Sequence, residues 1–380
     1  MTTRRFLAAG LVLFAAFLLG LMAAEVAVRA ATAFSPRLAT IMHMQDPMSV
    51  KIEPHGEDGY RPRPGVEFRY RNGAVAHENA LGYRGPSVTP EKPAGTRRII
   101  VLGGSTAHGW GVNDDQTIAA FLGKALTRRD SSRRYEVVSL AFDGYDSWQD
   151  YERFRTDGLP LRPDVVVMHS GINDVRNARF PALRDRDPRT MLWSGELARL
   201  RQEARQGGPS PWSRAKHLSY TLRLAAHLRQ EARRRSDPSD LMHPGDRVTT
   251  IQPNFQAVDY FERNARRVVA LAAEHGIAVL LSTPPSALRI KYAPDARSAQ
   301  SYWINDAQTT QALRDSLDHR FARIASEAPA SGPGVAHVHF ELSPADYLDD
   351  CHLTPEGNRA VAEAMADAIL ALRRQFAVAN

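Results

Sequence analysis

The chain has very little cysteine, because Cys351 is the one cysteine among its 380 residues. An internal disulfide is therefore excluded, and cysteine usage does not reveal the redox compartment. The sequence also lacks the C-x-x-C, H-E-x-x-H and G-x-x-x-x-G-K-[ST] patterns. Metal-dependent and nucleotide-driven activities thus have no motif to support them, and we expect a protein that needs no cofactor.

The longest uncharged run lies at the start of the chain. It extends from Phe6 to Ala24, follows two arginines and ends at Glu25. A secretory signal has an apolar core of about 7–15 residues, whereas a membrane-spanning helix needs roughly 20. Length favours a single-pass anchor of the inner membrane in residues 1–33, with the rest of the protein in the periplasm. The alternative is a signal peptide cleaved at the A-x-A site of residues 31–33, which yields a secreted or periplasmic protein.

Residues 34–95 show no long helical period and contain several prolines. Val66, Phe68 and Tyr70 alternate with polar residues, and Asn72-Gly73 is the dipeptide favoured in tight hairpin turns. We interpret this segment as a linker followed by a small β-extension.

From residue 96 to 380, short apolar runs alternate with helical patterns. The runs predict strands at residues 98–102, 136–141, 164–169, 277–282 and 335–340, and helices at 115–128, 255–275 and 354–373. Such alternation implies parallel βαβ units. We therefore expect an α/β fold, a three-layer α/β/α sandwich with a parallel sheet of about five strands in the flavodoxin-like style.

Residues 176–254 are longer than an ordinary connection between a strand and its next helix, so we interpret them as an insertion with helices near 197–206 and 216–235. From Arg176 to Asp237 there are fourteen arginines and one lysine against six carboxylates, a net charge of +9, whereas the whole chain carries +7. The arginines form either a solvated face or a basic patch for anionic lipid headgroups or an anionic polymer. Nucleic acid is not an expected partner of an exported protein.

The catalytic domain is predicted to begin with the stretch R-R-I-I-V-L-G-G-S-T-A, from Arg97 to Ala107. Its β-branched apolar run is typical of a strand buried on both faces. Gly103 and Gly104 allow a sharp turn, which places Ser105 at the carboxyl end of the strand, where open α/β sheets bind ligands. Ser105 is a candidate nucleophile, a phosphate-contacting hydroxyl or a helix N-cap.

The stretch D-D-C-H-L-T-P-E-G-N, from Asp349 to Asn358, favours the nucleophile. Thr354 and the proline after it indicate a helix start, so His352 lies on the loop that enters the last helix. Asp349 is three residues earlier, a spacing that lets its carboxylate orient the imidazole and stabilise its charged form.

Gly144 and Asn173 each follow a strand-like apolar run, in A-F-D-G-Y and G-I-N-D. A backbone N–H and a side-chain amide are the donors that an oxyanion requires. Taken alone, Gly144 is more simply a turn glycine.

Ser, Gly, Asn and His in this order resemble the SGNH hydrolases, also called the GDSL-like lipase/acylhydrolase family. The resemblance covers roughly residues 79–371. It implies a nucleophile at Ser105, a base at His352 oriented by Asp349, and an oxyanion hole formed by the N–H groups of Ser105 and Gly144 with the Asn173 amide. One departure is G-G-S where the family name implies G-D-S. The N-A-L-G-Y-R-G motif of residues 79–85 is similar to a membrane-anchored bacterial branch of the family.

Other polar and aromatic residues are expected to be structural. We interpret His169 as a core histidine, Asp174 as stabilising its own loop, and Trp110, Trp193 and Trp212 as core residues rather than sugar platforms. His108 is close enough in sequence to line the site, and Asp350 is the carboxylate most easily mistaken for the triad acid.

The expected activity is hydrolysis of oxygen esters on a small molecule or a glycan. The first alternative is an O-acyltransferase that moves acetyl groups onto an exported polysaccharide, since the pocket rather than the triad selects the acceptor. The second alternative is a non-catalytic polysaccharide-binding protein. A binding protein has no need for Ser105, Asn173, His352 and Asp349 together, which argues against it. The sequence does not reveal the oligomeric state.

Overall fold

The chain forms two units, of which the computed structural model describes residues 2–35, 51–55, 59–70, 72–179, 218–236, 254–288 and 307–377, with the single positions 38, 183, 202, 205 and 215. One unit comprises Met1–Val50 and Gly195–Asp240, and the other comprises Lys51–Ser194 and Leu241–Asn380. Apart from positions 202 and 205, the helix predicted at 197–206 lies outside the described residues, as do Trp193 and Trp212. In chain order, the elements are α1 (Thr2–Phe34), β1 (Ile52–His55), β2 (Gly59–Pro62), β3 (Glu67–Arg69), β4 (Val75–His77), β5 (Thr96–Gly103), α2 (Ser105–His108), α3 (Ile118–Arg129), β6 (Arg134–Ser139), α4 (Ser147–Arg153), β7 (Val165–His169), α5 (Tyr220–Ser236), α6 (Gln256–Glu274), β8 (Ala278–Ser282), α7 (Ala307–Glu327), β9 (Val335–His337) and α8 (Pro355–Ala377).

The larger unit is built on a five-stranded sheet in the order β6-β5-β7-β8-β9. All four pairings are parallel, so every strand ends at the same edge of the sheet. β5 lies second in this order, between β6 and β7, and its last residue Gly103 is in register with His169. This arrangement places the three loops after β5, β6 and β7 side by side.

Helices cover both faces of the sheet. Ile100 and Leu102 of β5 pack into a core formed with α6 and α7, whereas Ile99 and Val101 pack into a second core formed with α3 and α8. Successive side chains of a strand point to opposite faces, so an uninterrupted apolar run supplies both cores. The predicted three-layer α/β/α sandwich is confirmed.

Some element boundaries differ from the predictions. Helix α3 begins at Ile118 rather than Asp115, because the Thr117 hydroxyl accepts a hydrogen bond from the Ala120 N–H and caps it. The strand predicted to reach Phe340 ends at His337, and the strand predicted at residues 136–141 runs from Arg134 to Ser139. Helices α4 and α7 were not predicted.

The predicted hairpin at Asn72-Gly73 is confirmed by antiparallel pairing of β3 with β4. A second antiparallel hairpin, formed by β1 and β2, precedes it. In the smaller unit, α1 is long and apolar enough to cross a membrane, a property it shares with signal sequences.

Candidate active site

Ser105 is the first residue of α2, directly after β5. Gly103 has a φ of +143°, and a Cβ there would collide with the His169 carbonyl oxygen and with Ala107, so this position requires glycine. Gly104 is the N-cap of α2 and adopts an extended backbone. The interpretation of Ser105 as an N-cap is therefore wrong, and the turn presents its side chain at the carboxyl edge of the sheet.

Three side chains form a continuous hydrogen-bonded row. Ser105 Oγ lies 2.8 Å from His352 Nε2, and His352 Nδ1 lies 2.7 Å from Asp349 Oδ2. The other oxygen of Asp349 accepts the backbone N–H groups of Cys351 at 2.9 Å and His352 at 2.7 Å. The D-x-x-H loop thus closes on its own carboxylate, which holds the imidazole in one orientation toward Ser105.

The electrostatics of this row favour an ionised Asp349 beside a basic His352. Burial alone raises the pKa of a carboxyl group, but the charge and hydrogen bond of His352 hold the pKa of Asp349 well below its usual range. Burial alone lowers the pKa of a histidine. For His352 the charge and hydrogen bond of the Asp349 carboxylate outweigh this effect of burial and raise the pKa above 6.5. Such a ring is a stronger base than a free imidazole.

Asn173 brings a side-chain amide to the turn that carries Ser105. Its Nδ2 donates to the Tyr145 carbonyl oxygen at 2.7 Å, a bond that uses one of the two N–H groups of the amide. A Cβ on Gly104 would collide with this Nδ2 and would come within 3.2 Å of the Tyr145 oxygen. The glycine of G-G-S therefore lets the amide lie directly against the nucleophile turn.

Gly144 occupies a tight turn after β6, and this turn packs against the Gly103–Ser105 turn. Its φ is +82°, a value that favours glycine, and the turn is closed by the Tyr145 N–H donating to the Phe142 carbonyl oxygen at 3.2 Å. The Phe142 N–H donates to the Gly103 carbonyl oxygen at 3.0 Å. The structure therefore places Ser105, Gly144 and Asn173 on three adjacent loops.

Comparison with known proteins gives the class of this site. The GDSL-like lipase/acylhydrolase family matches residues 101–360, which is more than half of the chain and contains all five predicted site residues. The chain belongs to this family. It is thus a serine ester hydrolase by class. No curated protein matches the sequence.

Several solved structures are similar to this member of the acylhydrolase family. A GDSL-like lipase from Bacteroides thetaiotaomicron is 16% identical, with 72% of this chain and 88% of that one covered and a TM-score of 0.36. A catalytic mutant of an acetylxylan esterase from Geobacillus stearothermophilus is 14% identical, with 72% and 94% covered and a TM-score of 0.39. The hydrolase LAE5 from the metagenome of Lake Arreo is 18% identical, with 73% and 96% covered and a TM-score of 0.40.

Trp110 lies against the imidazole of this acylhydrolase. Its ring centroid is 4.5 Å from that of His352 with the planes tilted by 31°, and Tyr70 of the β-extension packs on it at 5.7 Å. The residue is 38% exposed. The expectation that Trp110 belongs to the core is therefore wrong, because the loop after Ser105 carries the indole to the rim of the site.

A buried ionic cluster behind the site was not predicted from the sequence. Lys51 is 1% exposed and its Nζ lies 2.5 Å from Asp143, the residue before Gly144. His108 lies between two carboxylates, 2.8 Å from Glu78 and 3.2 Å from Asp143. Burial opposes ionisation of Asp143, but Lys51 and His108 hold its pKa well below the usual range. The cluster joins the β-extension to the loops of Ser105 and Gly144.

Arg84, within the N-A-L-G-Y-R-G motif, fixes the loop that follows Ser105. Its buried guanidinium donates to the carbonyl oxygens of His108 at 2.7 Å, Gly109 at 2.5 Å and Val112 at 2.6 Å. Its Nε donates to Asp114 at 3.0 Å. Arginine suits such a set of acceptors because its guanidinium carries five N–H donors in a fixed geometry. The arginine of this motif therefore holds the loop after Ser105 in place.

The remaining candidate residues have structural partners. His169 is a buried core residue, as expected, and its Nδ1 lies 2.9 Å from Ser282 Oγ. Asp174 accepts hydrogen bonds from the Ser147 N–H and hydroxyl at the start of α4, so it stabilises another element rather than its own loop. Asp350 pairs with Arg314 at 3.4 Å instead of His352.

Asp349, Cys351 and His352 form a potential metal-ligand group among the described residues. Both imidazole nitrogens already have partners in the row with Ser105 and Asp349. Burial raises the pKa of the Cys351 thiol well above its usual value, which keeps it protonated, whereas metals bind the thiolate. The residues therefore fit a hydrogen-bonded triad better than a metal site.

We expect Asn173→Ala to lower kcat by about 10²–10³-fold, the usual effect of deleting one oxyanion donor. KM should change little, because an oxyanion donor contacts charge that develops in the transition state. Steady-state kinetics on a chromogenic ester check this. A change confined to KM would instead make Asn173 a substrate-binding residue.

We also expect kcat/KM to fall on the acid side as His352 gains a proton and ceases to act as a base. Because Asp349 raises the pKa of His352, the midpoint of this acid limb should lie above 6.5. A pH–rate profile with a stable ester measures it. A midpoint below the ordinary imidazole value would contradict the dominance of Asp349 over burial.

Proposed function

We propose that the protein is a serine esterase that hydrolyses oxygen esters through an acyl-enzyme on Ser105. The observation that carries the proposal is the row formed by Ser105, His352 and Asp349, with separations of 2.8 and 2.7 Å. These are hydrogen-bond distances between nucleophile, base and orienting acid.

The first half-reaction acylates the enzyme. Ser105 Oγ attacks the carbonyl carbon of the ester while its proton moves to His352 Nε2. The tetrahedral intermediate collapses, the ester C–O bond breaks, and the alcohol leaves with the proton from His352. Asp349 stays ionised throughout, since its pKa lies well below its usual range, and stabilises the charged ring.

The second half-reaction uses water. A water molecule gives a proton to His352 and attacks the acyl carbon, the carboxylic acid is released, and Ser105 regains its proton. In both steps the N–H groups of Ser105 and Gly144 and the Asn173 amide are proposed to bind the oxyanion. Preorganised donors of this kind stabilise charge only where it develops.

The second candidate function is acyl transfer to a sugar hydroxyl, and Trp110 favours it. The ring is partly exposed next to His352, and an exposed aromatic face suits the apolar face of a sugar. Transfer prevails only if the acceptor hydroxyl is held at an effective molarity that outcompetes water. We propose hydrolysis because Trp110 is the one exposed aromatic seen beside Ser105 among the described residues.

The test uses the full chain in detergent micelles. It should hydrolyse p-nitrophenyl acetate, and a fluorophosphonate probe should label the wild type but not Ser105→Ala. Acetyl donor is then supplied with and without candidate glycans, and free acetate is counted against acetylated sugar. Acetylated sugar as the main product, with faster donor consumption, would replace the hydrolase by the transferase. If the probe labels nothing and no ester is turned over, the protein is a non-catalytic binding protein instead.

We further propose that α1 anchors the protein in the inner membrane with the larger unit in the periplasm. The support is the length and apolar character of α1 and the two arginines before the apolar run, which favour a cytoplasmic N-terminus. Cell fractionation and protease protection in spheroplasts test this. A soluble periplasmic product beginning near Phe34 would identify a cleaved signal peptide instead.

A further inference from the structure

Glu25 is the first charged residue after the uncharged run of α1. The uncharged run from Phe6 to Ala24 is about 28 Å long at the rise of an α-helix, close to the roughly 30 Å hydrocarbon core of a bilayer. If α1 spans the membrane, as proposed above, Glu25 lies at the membrane–water interface. The inference below rests on that premise and does not depend on the esterase activity.

Helix α5 begins at the level of Glu25. The Glu25 carboxylate accepts the Ser219 hydroxyl at 2.7 Å and the backbone N–H groups of Tyr220 and Thr221 at 2.9 and 3.0 Å. One turn further along α1, Arg29 donates to the Leu218 carbonyl oxygen at 2.9 Å and lies over the Tyr220 ring. These contacts fix the first turn of α5 to α1 directly after the uncharged run of α1.

An apolar stripe of exposed residues begins just before α5 and continues on it. Leu218 is 77% exposed, Leu228 is 58% exposed, and Ala225 between them is also exposed. Ala225 and Leu228 are three residues apart and share one side of α5, and Leu218 lies two residues before the start of the helix. Exposed leucines in one short segment are unfavourable in water and typical of a contact surface.

The charge of α5 indicates what this stripe contacts. Residues 220–236 contain five arginines and one glutamate, so the helix combines an apolar stripe with strong positive charge. The guanidinium carbons of Arg29 and Arg223 lie 4.6 and 5.5 Å from the centroid of the Tyr220 ring, and tyrosine is common at membrane interfaces. A phospholipid surface with anionic phosphates and acyl chains offers both kinds of contact.

We propose that α5 is an interfacial helix that lies on an anionic phospholipid surface, with Leu218, Ala225 and Leu228 immersed at the acyl boundary. Glu25 and Arg29 of α1 set the depth of α5, because they fix its first turn at the end of the uncharged run. The arginines contact the headgroup phosphates, and long arginine side chains reach the headgroup level from the flanks of an immersed stripe.

A site-specific fluorophore on the full chain tests the proposal. Cys351 is buried with a pKa well above its usual value, so a thiol introduced by Leu228→Cys can be labelled selectively with an environment-sensitive dye. The protein is reconstituted into vesicles of phosphatidylcholine alone or mixed with phosphatidylglycerol. We expect blue-shifted emission, quenching by nitroxides on the lipid chains, and stronger quenching with phosphatidylglycerol.

Ala226→Cys is the matched control, because it lies two residues away on the other side of the helix. Its dye should be quenched much less. Replacing Arg233, Arg234 and Arg235 with glutamine should reduce the effect of phosphatidylglycerol, by about fivefold in local partitioning for each arginine near the surface, and high salt should do the same to the wild type.

Three results would overturn the proposal. Unquenched, water-like emission from the Leu228→Cys label in a carbonate-resistant, membrane-inserted protein would show that α5 stands clear of the lipid. Blue-shifted emission without lipid quenching, together with disulfide cross-links between two copies of this variant, would assign the stripe to self-association. Release of the protein from vesicles by carbonate would remove the premise that α1 spans the membrane, while esterase activity would be unaffected.

Discussion

Replacing Ser105 with alanine is expected to lower ester turnover by about 10⁶-fold, the scale found when the nucleophile of a catalytic triad is removed. In the proposed mechanism the substitution deletes the atom that forms the acyl-enzyme, and His352 then has no proton to accept from the enzyme. Little packing is lost, since Ser105 lies on a turn held by Gly103 and by hydrogen bonds of the backbone. Steady-state kinetics and circular dichroism measure the two effects.

Thr106→Ala is the matched control for Ser105→Ala. The Thr106 hydroxyl belongs to the same short helix but donates to the Cys351 carbonyl oxygen at 3.4 Å rather than to the imidazole. Turnover should therefore stay within about tenfold of wild type, because one weak hydrogen bond contributes about 1 kcal/mol. Near-normal activity of a folded Ser105→Ala protein would place the nucleophile elsewhere.

The second large effect is expected from Asp349→Asn, which should lower kcat by about 10⁴-fold. The Asp349 carboxylate is 2.7 Å from His352 Nδ1 and selects the tautomer whose Nε2 accepts the Ser105 proton. An amide that donates to Nδ1 would stabilise the opposite tautomer. Loss of the negative charge also lowers the pKa of His352, so the acid limb of the residual activity should shift to lower pH.

Asp350→Asn separates the triad acid from its neighbour. Asp350 pairs with Arg314, and burial raises the pKa of its carboxyl group, so a neutral amide is a mild replacement. We expect little change in kcat and a loss of about 1–2 kcal/mol in the free energy of unfolding, measured by chemical denaturation. If Asp350→Asn proves the more damaging substitution for catalysis, the assignment of Asp349 is wrong.

The sequence by itself determined the sheet and the order of the site residues. Ile99, Ile100, Val101 and Leu102 predict a strand buried on both faces, and the structure packs them alternately into two cores. Parallel strands end at one edge, so residues just after β5, β6 and β7 had to converge there. The D-x-x-H spacing also sufficed for the contact between Asp349 and His352, because that contact lies within one loop.

Only the tertiary structure decided which distant groups support this site. Lys51, Glu78 and Arg84 occur in a segment whose pattern indicates no more than hairpins, and each is buried against a loop of the catalytic domain. A buried charge is tolerated only when a partner compensates its desolvation, and here the partners lie 24 to 92 residues away. The prediction that Trp110 belongs to the core is wrong for the same reason. Whether an aromatic ring belongs to the core or to the rim of a site depends on the side chain it meets, and His352 comes from the other end of the chain.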